Sequence, residues 1–203
     1  MSPYARIAST VIAALALAAC ASSPTARFYT LSGPPAPSAP SGTTSIVVGP
    51  VGVPAVVDRP EIVVSVGENE VWLDEFNRWA SPLGDAIAIA TAENLSATLG
   101  TARATSLAQS TTIDAQYRVS VEVQRFESVP GSYALLDAVF TVRRTADGKL
   151  STARTTAREP AADKSYDALA AAHSRAIARL ARDIADATRT LATQPAATTP
   201  AAR

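Results

Sequence analysis

The most regular pattern in the chain is an alternation. Tyr117, Val119, Val121 and Val123 are interleaved with Arg118, Ser120, Glu122 and Gln124, the two-residue period of a strand with one covered face. Pro130-Gly131 turns the chain, and Ala134, Leu136, Ala138, Phe140 and Val142 repeat the period. Asp147-Gly148 is a hairpin signal leading into a third run, Leu150 to Ala157. Together these predict a three-stranded antiparallel meander. The period then changes. Tyr166, Leu169, His173, Ile177, Leu180, Ile184 and Leu191 form the apolar stripe of one long helix from about Ser165 to Ala192, with Arg175, Arg179, Arg182, Asp183, Asp186 and Arg189 on its other faces.

Upstream, Ser45 to Val51 reads as a buried strand whose ladder Pro50 and Pro54 are expected to end, because proline has no N–H to donate. Ile62 to Val66 and Glu70 to Leu73, joined by Gly67-Glu68-Asn69, predict a hairpin. Ser81 as N-cap, Pro82 at the first helical position and Gly100 past the end bracket a helix that turns Leu83, Ile87, Ala90 and Leu95 inward. A short strand is expected between Thr101 and Leu107. Residues 45–192 are long enough for one domain around one core.

The first residues have a different grammar. Arg6 precedes a charge-free apolar run from Ile7 to Ala19, the layout of a secretory signal peptide over residues 1–19. Thirteen residues reach only ~20 Å as a helix, short of a ~30 Å hydrocarbon core, so the run is not a spanning helix. Leu17-Ala18-Ala19-Cys20 looks like a bacterial lipobox, in which the cysteine is lipidated; ordinary cleavage after Ala18 is the alternative. Among bacterial lipoproteins, a residue other than Asp after the cysteine implies release to the outer membrane, and Ala21 stands there. From residue 20 to 44, Pro24, Pro34, Pro35, Pro37 and Pro40 predict a tether, which as extended chain would span up to ~75 Å. Within it Arg27 to Leu31 is an island of strand-forming residues, expected as a short edge strand. Residues 193–203 repeat the Pro, Ala and Thr bias and read as a disordered tail.

Composition removes several function classes. Lys plus Arg and Asp plus Glu number 18 each, so the balanced charge gives no electrostatic case for nucleic acid. One cysteine, Cys20, and one histidine, His173, leave no disulfide framework and none of the usual zinc ligand sets. His173 lies on the apolar stripe of the last helix, where a packed core histidine is the plain expectation. No Gly-x-Ser-x-Gly elbow and no phosphate loop is present, and neither a catalytic residue nor a cofactor is expected. Asp58-Arg59-Pro60-Glu61 admits two readings, a charged site or a loop whose Asp and Arg pair with each other or cap backbone groups. Trp72, Phe76 and Trp79 with Arg78 also admit two, core packing or an apolar partner contact. Trp72, on a strand, is expected in the core; Trp79 beside Arg78 is the more ambiguous.

Phe28-Tyr29-Thr30-Leu31, Ile46-Val47-Val48-Gly49-Pro50-Val51, Val57-Asp58-Arg59-Pro60-Glu61-Ile62-Val63 and Arg78-Trp79-Ala80-Ser81-Pro82-Leu83 occur in that order. Glu93-Asn94-Leu95, Tyr166-Asp167-Ala168-Leu169, Ala172-His173-Ser174 and Leu180-Ala181-Arg182-Asp183-Ile184 follow. The series resembles the PqiC/YmbA family of ABC-type transport auxiliary lipoproteins over essentially the whole mature domain. The resemblance implies an α/β domain, a mixed sheet with helices packed on it, similar to the anticodon-binding-domain fold. It also implies an outer-membrane lipoprotein facing the periplasm that works with an MCE-domain protein and an inner-membrane transport complex in lipid trafficking, with a homo-oligomer open. Asp58, Arg59, Arg78 and Trp79 are then the candidate partner-contact residues, and Cys20 the lipidated one. A structural or assembly lipoprotein of the envelope, or a periplasmic hydrolase, would share the export signal.

Overall fold

The computed structural model describes residues 24–109 and 114–195; the expected signal peptide, Cys20 and the tail beyond residue 195 lie outside the described residues. Among the described residues eight strands and two α-helices follow one another as β1 (Arg27–Tyr29), β2 (Ile46–Gly52), β3 (Glu61–Ser65), β4 (Val71–Trp79), α1 (Leu83–Leu99), β5 (Ala104–Ser106), β6 (Tyr117–Val129), β7 (Tyr133–Arg144), β8 (Leu150–Pro160) and α2 (Tyr166–Thr193). The class is mixed α/β, as expected. The strands divide into two sheets, a five-stranded one ordered β5-β2-β6-β7-β8 and a three-stranded one ordered β1-β4-β3.

The alternating runs form the antiparallel part of the large sheet. Val119 stands opposite Val142, Val121 opposite Phe140 and Val123 opposite Ala138, so the valines of β6 meet the apolar face of β7. After Val123 a bulge resets the register and brings Phe126 opposite Leu136 on that same face. β2 lies parallel between β5 and β6. Pro50 does not end β2: the register slips between Val48 and Val51, and pairing resumes at Val51 with Val121. The bulge skips the one residue that cannot donate.

α1 and α2 pack against each other and cover the large sheet, α1 chiefly over β2 and β5, α2 over β7 and β8. Ser165 caps α2, its hydroxyl accepting from the Ala168 N–H at 3.1 Å. α1 departs from expectation at its start. Pro82 itself is the N-cap, with no side-chain cap, and its carbonyl takes the first helical bond, from the Ala86 N–H at 2.9 Å. The residue before a proline is pushed out of helical geometry, which leaves Ser81 outside the helix. At the other end Gly100 takes the left-handed conformation, φ 62°, that closes a helix without a Cβ penalty.

The Pro-rich segment is not a free tether from residue 27 onward. β1 pairs with β4, Leu31 is buried, the Gly33 N–H donates to Glu93 Oε2 at 2.7 Å and the Gly42 N–H to the Gly100 carbonyl at 2.8 Å. Proline favours the extended backbone that lets this stretch lie along α1, and the partners it needs come from α1 and its cap.

Among the described residues two buried side-chain atoms lack a hydrogen-bond partner, Thr91 Oγ1 and His173 Nδ1. Thr91 is fully buried in α1, where a hydroxyl ordinarily bonds the carbonyl one turn back. Replacing it by the isosteric valine removes an unsatisfied polar group, so Thr91→Val is expected to raise stability by about 1 kcal/mol in urea unfolding. A loss of stability of that size would instead reveal a bonded hydroxyl.

Candidate docking surface

β4 carries the aromatic cluster, and its two ends behave oppositely. At the far end Trp79 is 5% exposed. Its indole meets Phe126 and His173 edge-on, with ring centroids 6.1 and 6.2 Å away, and those two rings stack at 3.8 Å. The backbone fixes this position: the Trp79 N–H donates to the Pro60 carbonyl at 2.7 Å and the Ala80 N–H to the Tyr29 carbonyl at 2.8 Å. His173, fully buried, bonds Ser128 Oγ through Nε2 at 2.8 Å. Burial alone pushes its pKa down to about 3, so the ring is neutral and serves as packing. Trp79 is therefore a core residue rather than a partner contact.

The near end of β4 is bare. Trp72 is 63% exposed, and Val71, Leu73 and Phe76 are exposed with it, as is Val66 at the end of β3. Consecutive strand residues point to opposite faces, so with both Trp72 and Leu73 exposed, neither face of β4 is covered here. β1 pairs with β4 only from Asn77 to Trp79, and among the described residues the edge of β4 from Val71 to Phe76 has no strand beside it except β3 on the other side. The expectation that Trp72 is core fails for this reason: β1 is three residues long, and the hairpin projects beyond it. A continuous apolar run such as Val71-Trp72-Leu73 does not distinguish a strand buried on both faces from one exposed on both.

The other candidate residues do not converge on one site. Arg78 is held across the small sheet by Glu61 at 3.3 Å, and its Nε donates to the Glu75 carbonyl at 2.8 Å. Asp58 and Arg59 are exposed in a turn whose amides bond the Pro54 and Val57 carbonyls, and no ion pair joins the two side chains. The polar group that sequence reasoning missed lies between β1, β4 and α2. The Tyr29 hydroxyl donates to Asn77 Oδ1 at 2.9 Å, Asn77 Nδ2 donates to Asp74 Oδ2 at 2.9 Å, and Asp74 Oδ1 accepts from the Phe76 and Asn77 N–H groups at 2.9 and 3.1 Å. Burial works against the Asp74 carboxylate, but these donors and the Tyr166 hydroxyl hold its pKa below the usual range. Tyr166 is pushed up by its own burial and by Asp74. Four residues separated by up to 137 positions meet here, and no sequence spacing announces them.

The face of the large sheet turned away from the helices holds a second polar group. Asp137, buried on β7, accepts from Arg154 Nε and Nη2 at 2.7 and 2.5 Å and from Thr156 Oγ1 at 3.2 Å. The Arg154 guanidinium holds the Asp137 carboxyl below the usual carboxylate range. Arg158 stacks over the Tyr133 ring at 3.7 Å. These contacts are consumed within the sheet. Among the described residues no group of three His, Cys, Asp or Glu could hold a metal ion, and no helix is long and apolar enough to cross a membrane.

The family model for the ABC-type transport auxiliary lipoprotein component matches residues 29–185. The chain belongs to that family. The match begins inside β1 and ends within α2, so it takes in both sheets and the buried Trp79–His173 cluster. No curated protein matches the sequence. Among solved structures, an uncharacterized protein overlaps with a TM-score of 0.66 at 20% identity, covering 80% of this chain and 98% of that one. A Xanthomonas campestris protein of the DUF330 family overlaps at 0.64 with 18% identity, covering 83% and 100%. At these identities the likeness is one of fold. A PelC dodecamer from Paraburkholderia phytofirmans gives a TM-score of 0.41 at 18% identity, covering 77% and 92%. The family description makes the auxiliary lipoprotein a component of a transport system.

Proposed function

We propose that this auxiliary lipoprotein is anchored through Cys20 in the outer membrane, faces the periplasm, and serves an MCE-domain protein and its inner-membrane transport complex in lipid traffic between the two membranes. The observation that carries the reading is the family match over residues 29–185. Leu17-Ala18-Ala19-Cys20-Ala21 supports the anchor and its membrane. The role is docking. The only histidine is buried and neutral, and the acidic groups with lowered pKa, Asp74, Asp137 and Asp163, are spent on neighbouring donors. The exposed end of the β3–β4 hairpin, with Val66, Val71, Trp72, Leu73 and Phe76, offers an apolar surface to a partner.

Crosslinking in intact cells followed by mass spectrometry tests the partner. An MCE-domain protein among the adducts is expected. Adducts confined to cell-wall assembly proteins would favour the other reading, a structural envelope lipoprotein. The anchor is tested separately. Cys20→Ala is expected to block lipoprotein processing and to lose the mature outer-membrane form, since several acyl chains are needed for a stable hold. A processed Cys20→Ala protein still fractionating with that membrane would refute it.

A further inference from the structure

The lipid leash is short, and where it starts says which end of the domain faces the bilayer. β1 runs parallel to β4 with Arg27 opposite Asn77, so the chain preceding Arg27 leaves β1 toward the start of β4, on the edge of β4 that has no strand beside it from Phe76 back to Val71. Pro24 already lies near that edge, lining one groove with Phe76 and with Ser165 and Tyr166 at the start of α2. Four peptide units separate Pro24 from Cys20, a reach of about 14 Å even when fully extended. Trp72 stands four residues beyond Phe76 along β4, at most about 13 Å, the irregularity between Asp74 and Arg78 shortening the path. The acyl chains and the bare apolar edge are thus confined to the same end of the molecule.

The geometry points to a second membrane contact: the unpaired edge of β4, through Trp72, Leu73 and Phe76, rests in the interfacial zone of the bilayer that holds Cys20. This rests on the reading of Cys20 as the lipidated residue. A lipid surface suits the edge better than a second protein. Trp72 and Leu73 leave opposite faces of β4, and a flat protein partner laid on one face would cover one and leave the other wet, whereas side chains splayed from an edge both enter a fluid interface. Tryptophan is the side chain that favours such a boundary, with an apolar body and one N–H for the wet side. Glu68, Glu70 and Glu75 are exposed beside the patch, so the matching bilayer is zwitterionic and the acids remain at headgroup level. The contact makes the domain lie against the membrane instead of swinging on a long tether.

The test uses the full mature chain with its lipid, reconstituted in phosphatidylcholine vesicles. Trp79 is buried, so quenchable tryptophan emission reports Trp72, and the exposed-site variant Trp72→Phe is expected to abolish it. On reconstitution, quenching by aqueous acrylamide is expected to be lost, and phosphatidylcholine brominated near the top of its acyl chains is expected to quench the emission instead. Lipidated protein on vesicles whose Trp72 stays open to acrylamide would overturn the membrane contact and leave the anchor standing. Emission shielded from acrylamide but untouched by brominated lipid would overturn it in favour of a second copy covering the edge. A mature chain whose mass shows no lipid on Cys20 would overturn the anchor and this contact together.

Discussion

Trp79→Ala is expected to cost about 3–5 kcal/mol, the range for deleting a large buried aromatic, and Trp72→Ala within about 0.5 kcal/mol of nothing. The two residues share a strand and lie seven positions apart, which makes the contrast a direct test of where the domain ends. Trp79 fills the space between Phe126 on β6 and His173 on α2, the point at which the small sheet is joined to the large one and to the last helix. Removing it leaves a cavity, and it also leaves the stacked pair of Phe126 and His173 without its edge-on neighbour. Against a total stability of about 5–15 kcal/mol the loss is a large share, and the midpoint of urea unfolding should fall accordingly. Trp72 has few neighbours to lose. Equal destabilisation by the two variants would mean that the hairpin is packed against something the exposure of Trp72 does not show.

Sequence patterns locate the meander and the long helix because each is governed by one period along one continuous segment. The valines of β6 alternate through Val123, and the stripe of α2 holds from Leu169 to Leu191, both buried as expected. The hairpin to α1 region is harder to read for a physical reason. Whether Trp72 or Trp79 is covered depends on how far β1 runs beside β4, and β1 comes from a segment more than forty residues earlier that composition marks as unstructured. The Pro-rich bias correctly indicates extended chain; it does not say that Glu93, Gly100 and Thr101 supply partners for that chain. The same limit applies to the proposed contact residues. Arg78 and Trp79 are adjacent and point to opposite faces, so one belongs to a surface ion pair with Glu61 and the other to the core. The Asp74–Asn77–Tyr29–Tyr166 group required β1, β4 and α2 to be in place before any of it was visible.

Acid should unfold this domain earlier than its carboxylates alone would predict, and His173 is the reason. An unfolded histidine takes up a proton near pH 6.5, whereas the buried ring does so only at about 3. Below pH 6.5 the unfolded state therefore binds more protons than the folded one, and stability falls as the pH falls, by about 1.4 kcal/mol for each unit until the folded ring itself titrates. Above pH 6.5 the contribution is complete and flat. Asp74, Asp137 and Asp163, whose folded pKa values lie below the usual 3.8, also lose stability in acid, but through a lower window. The interval from pH 6.5 to 4.5 isolates His173, and a loss of about 2–3 kcal/mol is expected across it. Nε2 is engaged with Ser128 and Nδ1 has no partner, so a protonated ring would carry an N–H at Nδ1 with nothing to accept it. Its surroundings are the Phe126 and Trp79 rings, with no carboxylate among the contacts to hold an imidazolium. His173→Gln keeps a polar group facing Ser128 and removes the titration. It is expected to be less stable at pH 7 through lost stacking, and to show no slope between pH 6.5 and 4.5 in urea unfolding. A wild-type chain that holds its stability over that interval, or a slope that survives in His173→Gln, would show that the ring is protonated in place or that another group sets the acid limit.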